Sequence, residues 1–162
     1  MEPRSHALWV VFLTFLIAYL LAIVPMPVWA MNYRPEWVAL VLIYWAMALP
    51  YRIGIGTAWM AGLFMDVLEG GILGLNALVL AILAYITLSL HKRLRMFSSV
   101  QQSGLVFALI GLVLMVSHWL QLATRQTVPS NLLFLLGALS SALLWPFIFQ
   151  LLRHLRRSFS VR

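Results

Sequence analysis

The chain has no cysteine at all and only four Asp or Glu among its 162 residues. The first absence removes disulfide frameworks and thiolate metal sites. The second leaves few carboxylates for general acid–base work or for holding a cation. No Gly-Lys-Ser/Thr follows a glycine loop, so no Walker-type phosphate cradle is present. No internal repeat and no low-complexity tract appears, and the segments between apolar runs are too short to fold as a soluble domain. No set of His and carboxylate residues has zinc-site spacing. No segment alternates like the strand of a membrane barrel, and open strands cannot stand in lipid with unpaired backbone groups.

What fills the chain instead is apolar. Hydrophobic residues make up 64% and charged residues 9%, against about 45–50% and about 25% in soluble domains. A chain this short cannot bury that much apolar surface within itself, so lipid is its natural solvent. A bilayer core about 30 Å thick needs about 20 helical residues. Six apolar runs lie near that length, over residues 7–24, 35–50, 53–68, 72–90, 104–123 and 131–152. They are expected to form one all-α polytopic membrane domain. Runs two and three are short, so flanking residues or a thinned bilayer must accommodate them. Val28-Trp29-Ala30 resembles a weak signal-peptidase site, but the run before it exceeds the roughly 7–15 residues of a signal core and reads as a retained helix. Pro35 opens run two, where its missing N–H is not needed. Pro146, after Trp145, should kink run six.

The charges set a direction. Net charge is +7, a balance that in a soluble protein would suggest nucleic acid. Here the basic residues flank apolar runs, so no nucleic acid is expected. Arg4, Arg52, Lys92, Arg93, Arg95, Arg153, Arg156, Arg157 and Arg162 all fall on one side of six spans, and Arg34 and Arg125 on the other. The positive-inside rule puts the majority in the cytoplasm with both termini. A five-span alternative, with run three re-entrant, would strand Lys92, Arg93 and Arg95 outside. The arginine tail also carries Leu151, Leu152, Leu155 and Phe159 and could extend run six as an amphipathic helix. Anionic lipid, a cytoplasmic partner and plain solvated topology charge are its competing readings.

Asp66 is the most informative single residue, because a carboxylate in a span is costly. Ala58, Gly62 and Asp66 are spaced by four and share a helix face, and small residues at that spacing let a second helix approach. Asp66 can thus be a buried packing contact, a partner contact, a ligand or proton site, or an interfacial helix-end residue. Arg34 is its expected counter-ion, with Glu36 competing for it. Glu69, Gly70, Gly71, Gly74 and Asn76 form a glycine-rich turn for a tight return. His118 and Ser117 are adjacent, point about 100° apart and make a poor catalytic dyad. His6, His91 and His154 lie in basic flanks. The seven tryptophans read as interfacial anchors and packing residues.

Several segments resemble the rod-shape-determining MreD family. They are Arg34-Pro35-Glu36-Trp37 running through Tyr44-Trp45 to Leu49-Pro50; Gly54 to Gly56 into Gly62-Leu63-Phe64-Met65-Asp66-Val67-Leu68-Glu69-Gly70; Leu73-Gly74; and Leu144-Trp145-Pro146-Phe147. The resemblance covers nearly the whole chain, with run five contributing no motif. It implies a non-enzymatic protein of the bacterial inner membrane, without cofactor or metal. It implies direct binding to the single-span protein MreC, and work alongside MreB filaments, RodA and a penicillin-binding transpeptidase. It also implies a fold like the substrate-binding membrane component of energy-coupling factor transporters. On this reading Arg34, Pro35, Tyr44, Trp45, Pro50, Gly62, Asp66, Gly70, Gly74, Trp145 and Pro146 are structural or partner-interface candidates. Lys92, Arg93, Arg95, Arg153, Arg156 and Arg157 form a cytoplasmic basic flank. The six-helix size and the membrane carboxylate leave a small-molecule-binding or transporter subunit as the alternative.

Overall fold

The computed structural model describes residues 8–124, 127 and 132–159. Arg4, His6, Ala7, Arg125, Asn131 and Arg162, which entered the expected spans and flanks, lie outside the described residues. Six α-helices account for most of what is described: α1 (Leu8–Ile23), α2 (Trp37–Ala48), α3 (Ile55–Glu69), α4 (Leu75–Met96), α5 (Ser99–Ala123) and α6 (Leu136–Ser158). Short 3-10 turns occupy Val28–Tyr33 and Leu133–Leu135, and no strand occurs among the described residues.

Two expected boundaries move, for physical reasons. Run four was expected to end at Leu90, with Lys92, Arg93 and Arg95 in a loop. Instead α4 continues to Met96, and Arg93 and Arg95 sit in its last turn, where cations oppose the negative end of the helix dipole. Run five was expected to begin at Gly104. Instead α5 begins at Ser99, because Ser98 and Gln101 form a reciprocal capping box that satisfies two backbone N–H groups. The loop between these helices shrinks to Phe97 and Ser98. α6 likewise runs on to Ser158, with Pro146 inside it.

α2 is the centre of the molecule. It packs on α1, α4 and α6, and every residue from Val38 to Met47 is buried. That is why it is apolar all round rather than on one stripe. Its 12 residues span only about 18 Å at 1.5 Å each, so its ends lie inside the thickness set by longer neighbours. Among the described residues, α4, α5 and α6 are the three helices long and apolar enough to cross a membrane; α1 and α2 are apolar but shorter. The outward faces keep large apolar side chains exposed, including Phe12, Leu20, Phe64, Leu143 and Phe147.

The tightest crossing joins α3 to α4. The buried residues of α3 are Ala58, Gly62 and Asp66, one helix face. A Cβ added at Gly62 would lie 2.3 Å from the Ala77 Cα and 2.5 Å from the Asn76 carbonyl oxygen. Those obstacles are backbone, so no rotamer change relieves them. Gly62→Leu should therefore cost about 3 kcal/mol, the upper part of the range for overpacking. Gly104→Ala, with nothing within 4 Å of the added carbon, should instead gain up to about 1 kcal/mol of helix propensity. Thermal unfolding of the two variants in mild detergent distinguishes them, and an unchanged midpoint for Gly62→Leu would refute the close crossing.

Candidate functional site

The polar groups of the bundle collect at its two ends. At one end α3 terminates and α4 begins. Gly70 ends α3 with φ 67° and Gly74 precedes α4 with φ 97°, left-handed conformations that glycine adopts without a Cβ penalty. The two glycines turn the chain so that the first turn of α4 faces Asp66, one turn inside α3. The Asp66 carboxylate then accepts hydrogen bonds from the backbone N–H groups of Gly74 at 2.9 Å, Asn76 at 3.0 Å and Ala77 at 3.4 Å. These are the orphan donors that open every helix, and a negative group there also meets the positive end of the α4 dipole. Asn76 Nδ2 donates to Glu69 Oε2 at 2.9 Å and ties the turn from its outer side.

Asp66 is 2% exposed, and its partners are backbone donors rather than Arg34. No ion pair joins Arg34 to Asp66 among the described residues. Arg34 and Pro35 instead line a cavity of about 190 Å³ with Glu36, Glu69, Asn76 and Gln121. Arg34 and Glu69 are the charges that act on Glu36. The Glu36 backbone N–H donates to Ser141 Oγ at 2.9 Å, and that hydroxyl donates to the Gly137 carbonyl at 2.7 Å. The start of α2 is thereby fixed to α6.

The opposite end is basic. Arg95 donates through Nε and Nη2 to the Met47 carbonyl at 3.0 and 2.6 Å, and through Nη2 to Ala48 at 3.2 Å. It closes the last turn of α2, which has no further residues of its own to do so. Gln102 is buried; its Nε2 donates to the Leu94 carbonyl at 2.7 Å and its Oε1 accepts from Trp145 Nε1 at 3.3 Å. This ties α4, α5 and α6 together. Nearer the middle, Trp45 Nε1 donates to Thr14 Oγ1 at 2.9 Å, and Thr14 passes the bond on to the Val11 carbonyl at 2.7 Å.

The expected residues therefore fall into separate groups. Gly62, Asp66, Gly70 and Gly74 form the α3–α4 clamp. Arg34 and Pro35 belong to the neighbouring cavity. Trp45 and Trp145 are fully buried rather than interfacial. Pro50 sits in the turn after α2, and Lys92 and Arg93 are exposed on the end of α4. Sequence reasoning missed Thr14, Ser141 and Gln102. Only Gln102 left a signal, as a polar residue directly after the Ser98–Gln101 capping box.

The family model for the rod shape-determining protein MreD matches residues 3–155. The chain is 35% identical over 158 residues to the rod shape-determining protein MreD of Haemophilus influenzae, which covers 97% of each sequence. No solved structure matches, so the expected likeness to the energy-coupling factor component rests on resemblance alone.

The cap makes a prediction that an ion pair would not. Asp66→Ala should lower stability by about 2–3 kcal/mol, the range for lost hydrogen bonds to a charged group. Asp66→Asn retains an acceptor oxygen and should lose less. Arg34→Gln should change stability by no more than about 0.5 kcal/mol. Unfolding midpoints in detergent decide the matter: an Arg34→Gln loss equal to that of Asp66→Ala would replace the cap with a pair.

Proposed function

The chain belongs to the MreD family of rod shape-determining proteins and is a membrane protein with a role in rod shape; on that premise we propose that it is a non-enzymatic scaffold of the cell-elongation machinery. In this reading it is a single inner-membrane domain of six spans with both termini in the cytoplasm. It binds MreC directly and, through the complex, helps place RodA, a penicillin-binding transpeptidase and MreB filaments for cell-wall synthesis.

The observation that carries the scaffold reading is the state of Asp66. Its carboxylate holds three backbone N–H groups, so the one acid buried in the described helices is occupied by structure. A proton relay or ligand site needs a carboxylate that can change partners. Charge distribution supports the orientation. Glu36, Asp66 and Glu69 gather at the end with Arg34, while Arg95, Arg153, Arg156 and Arg157 gather at the other. The basic end is the cytoplasmic one under the positive-inside rule. The exposed apolar faces of α1, α3 and α6 then face lipid or the span of a partner.

A second reading, a small-molecule-binding or transporter subunit, draws on the cavity of about 190 Å³ beside Arg34, Glu36 and Glu69. Convergent polar groups in a concave site are what a ligand pocket requires.

The two readings separate on what accompanies the protein. Tagged chain crosslinked in cells and purified in mild detergent should bring down MreC and cell-wall synthesis enzymes. Recovery of an ATPase pair or a bound small molecule, with MreC absent, would favour the transporter reading and remove the scaffold one.

A further inference from the structure

The basic end holds a built cavity that the scaffold reading does not use. Arg153, Arg156 and Arg157 of α6 and Arg95 of α4 line an open space of about 310 Å³, with Tyr44 of α2 among its walls. Four arginines line it and no carboxylate does, Arg95 being engaged with the last carbonyls of α2. Like charges gathered around one space repel, so the arrangement favours an anion.

Tyr44 adds a second and independent sign. The residue is 1% exposed, and its hydroxyl is buried without a hydrogen-bond partner. Arg156 is the cation beside that hydroxyl, with Arg153 and Arg157 farther off. The ring itself is fixed, edge-on to Trp45 at 5.2 Å and to Phe149 at 5.5 Å. The hydroxyl and the Arg156 guanidinium beside it can share one acceptor, such as an oxygen of a bound anion. Guanidinium forks and a phenolic O–H are all donors suited to the oxygens of a phosphate.

The surroundings choose between a free and a lipid-borne phosphate. The cavity walls include Met47, Ala48 and Phe149. Phe147 and Leu151, on the same stretch of α6, are exposed and apolar. Acyl chains attached to a phosphate in the cavity thus have apolar helix surface to follow. Basic pockets between membrane helices on the cytoplasmic side hold anionic headgroups. We propose that the cavity formed by Tyr44, Arg153, Arg156 and Arg157 binds the phosphate group of an anionic membrane lipid. The site needs only that the helices lie in a bilayer, and it stands whether or not MreC is the partner.

The test uses the full chain, delipidated in detergent and titrated with phosphatidylglycerol or phosphatidylcholine while native mass spectrometry counts bound lipid. One phosphatidylglycerol should be retained where phosphatidylcholine is stripped. The triple substitution Arg153→Gln, Arg156→Gln, Arg157→Gln should weaken that binding at least about tenfold, as the loss of several basic contacts at a headgroup demands. Tyr44→Phe, which keeps the packing, should weaken it about threefold through the loss of one hydrogen bond. Lys92→Gln with Arg93→Gln removes charge from the same end but outside the cavity, and should leave binding within about twofold. Equal loss in that control would reduce the site to diffuse charge and overturn the proposal. Unchanged binding in both the triple variant and Tyr44→Phe would overturn it too. Displacement of the lipid by millimolar inorganic phosphate would assign the cavity to a soluble anion instead.

Discussion

The bond between the Asp66 carboxylate and the first N–H groups of α4 constrains the rest of the bundle. A helix whose first turn packs against another helix shields its opening donors from water, at a cost of about 1–3 kcal/mol per unsatisfied group. Asp66 removes that cost and brings a cost of its own, since a lone carboxylate is expensive there. Each group solves the problem of the other. The solution holds only if α3 and α4 approach to backbone contact, which Gly62 permits, and only if the chain between them turns through Gly70 and Gly74. The four residues are thus one device, and no member can be judged separately from the others.

From that clamp α4 runs 22 residues to Met96, about 33 Å at the helical rise. Its length delivers Arg95 to the end of α2, a much shorter helix. α2 has no side-chain cap at its N-terminus. One of its opening donors is met from outside, Ser141 of α6 taking the Glu36 N–H. Its last carbonyls are met by Arg95. A short central helix can stay buried on all sides because longer neighbours reach past it and satisfy both ends. The requirement that buried backbone polar groups find partners explains why those partners come from far along the chain.

How much of this was legible in the sequence depended on the distance over which each interaction acts. The face shared by Ala58, Gly62 and Asp66 follows from helical spacing, and the residues that bury on α3 are those three. The capping box at Ser98 and Gln101 was written in the sequence, but attention to apolar runs placed the helix start five residues late. The partner of Asp66 was sought among charged side chains. A backbone donor carries no residue type, so its only trace was the glycine spacing after Asp66. Bonds such as Trp45 to Thr14 or Trp145 to Gln102 link residues whose separation depends on how the helices pack, and nothing local encodes them. The same limit hid the Tyr44 cavity: Tyr44 lies on α2 and three of its arginines on α6, far apart along the chain.

The two ends of the molecule differ in how their charges are satisfied, and this difference bears on what each end can do. At the acidic end, Asp66 has backbone partners and Glu69 has Asn76. Only Arg34 and Glu36 remain to face the neighbouring cavity, and they are of opposite sign. At the basic end, Arg95 is engaged with α2 while Arg153, Arg156 and Arg157 lie on one face of α6 beside a space lined by no carboxylate. An end that carries both signs of charge can balance them internally. An end with excess charge of one sign attracts opposite charge, which is what the proposed lipid phosphate would supply. Since α6 joins the two, through Ser141 at one end and its arginines at the other, what binds at the basic end is held on the same helix that fixes the start of α2.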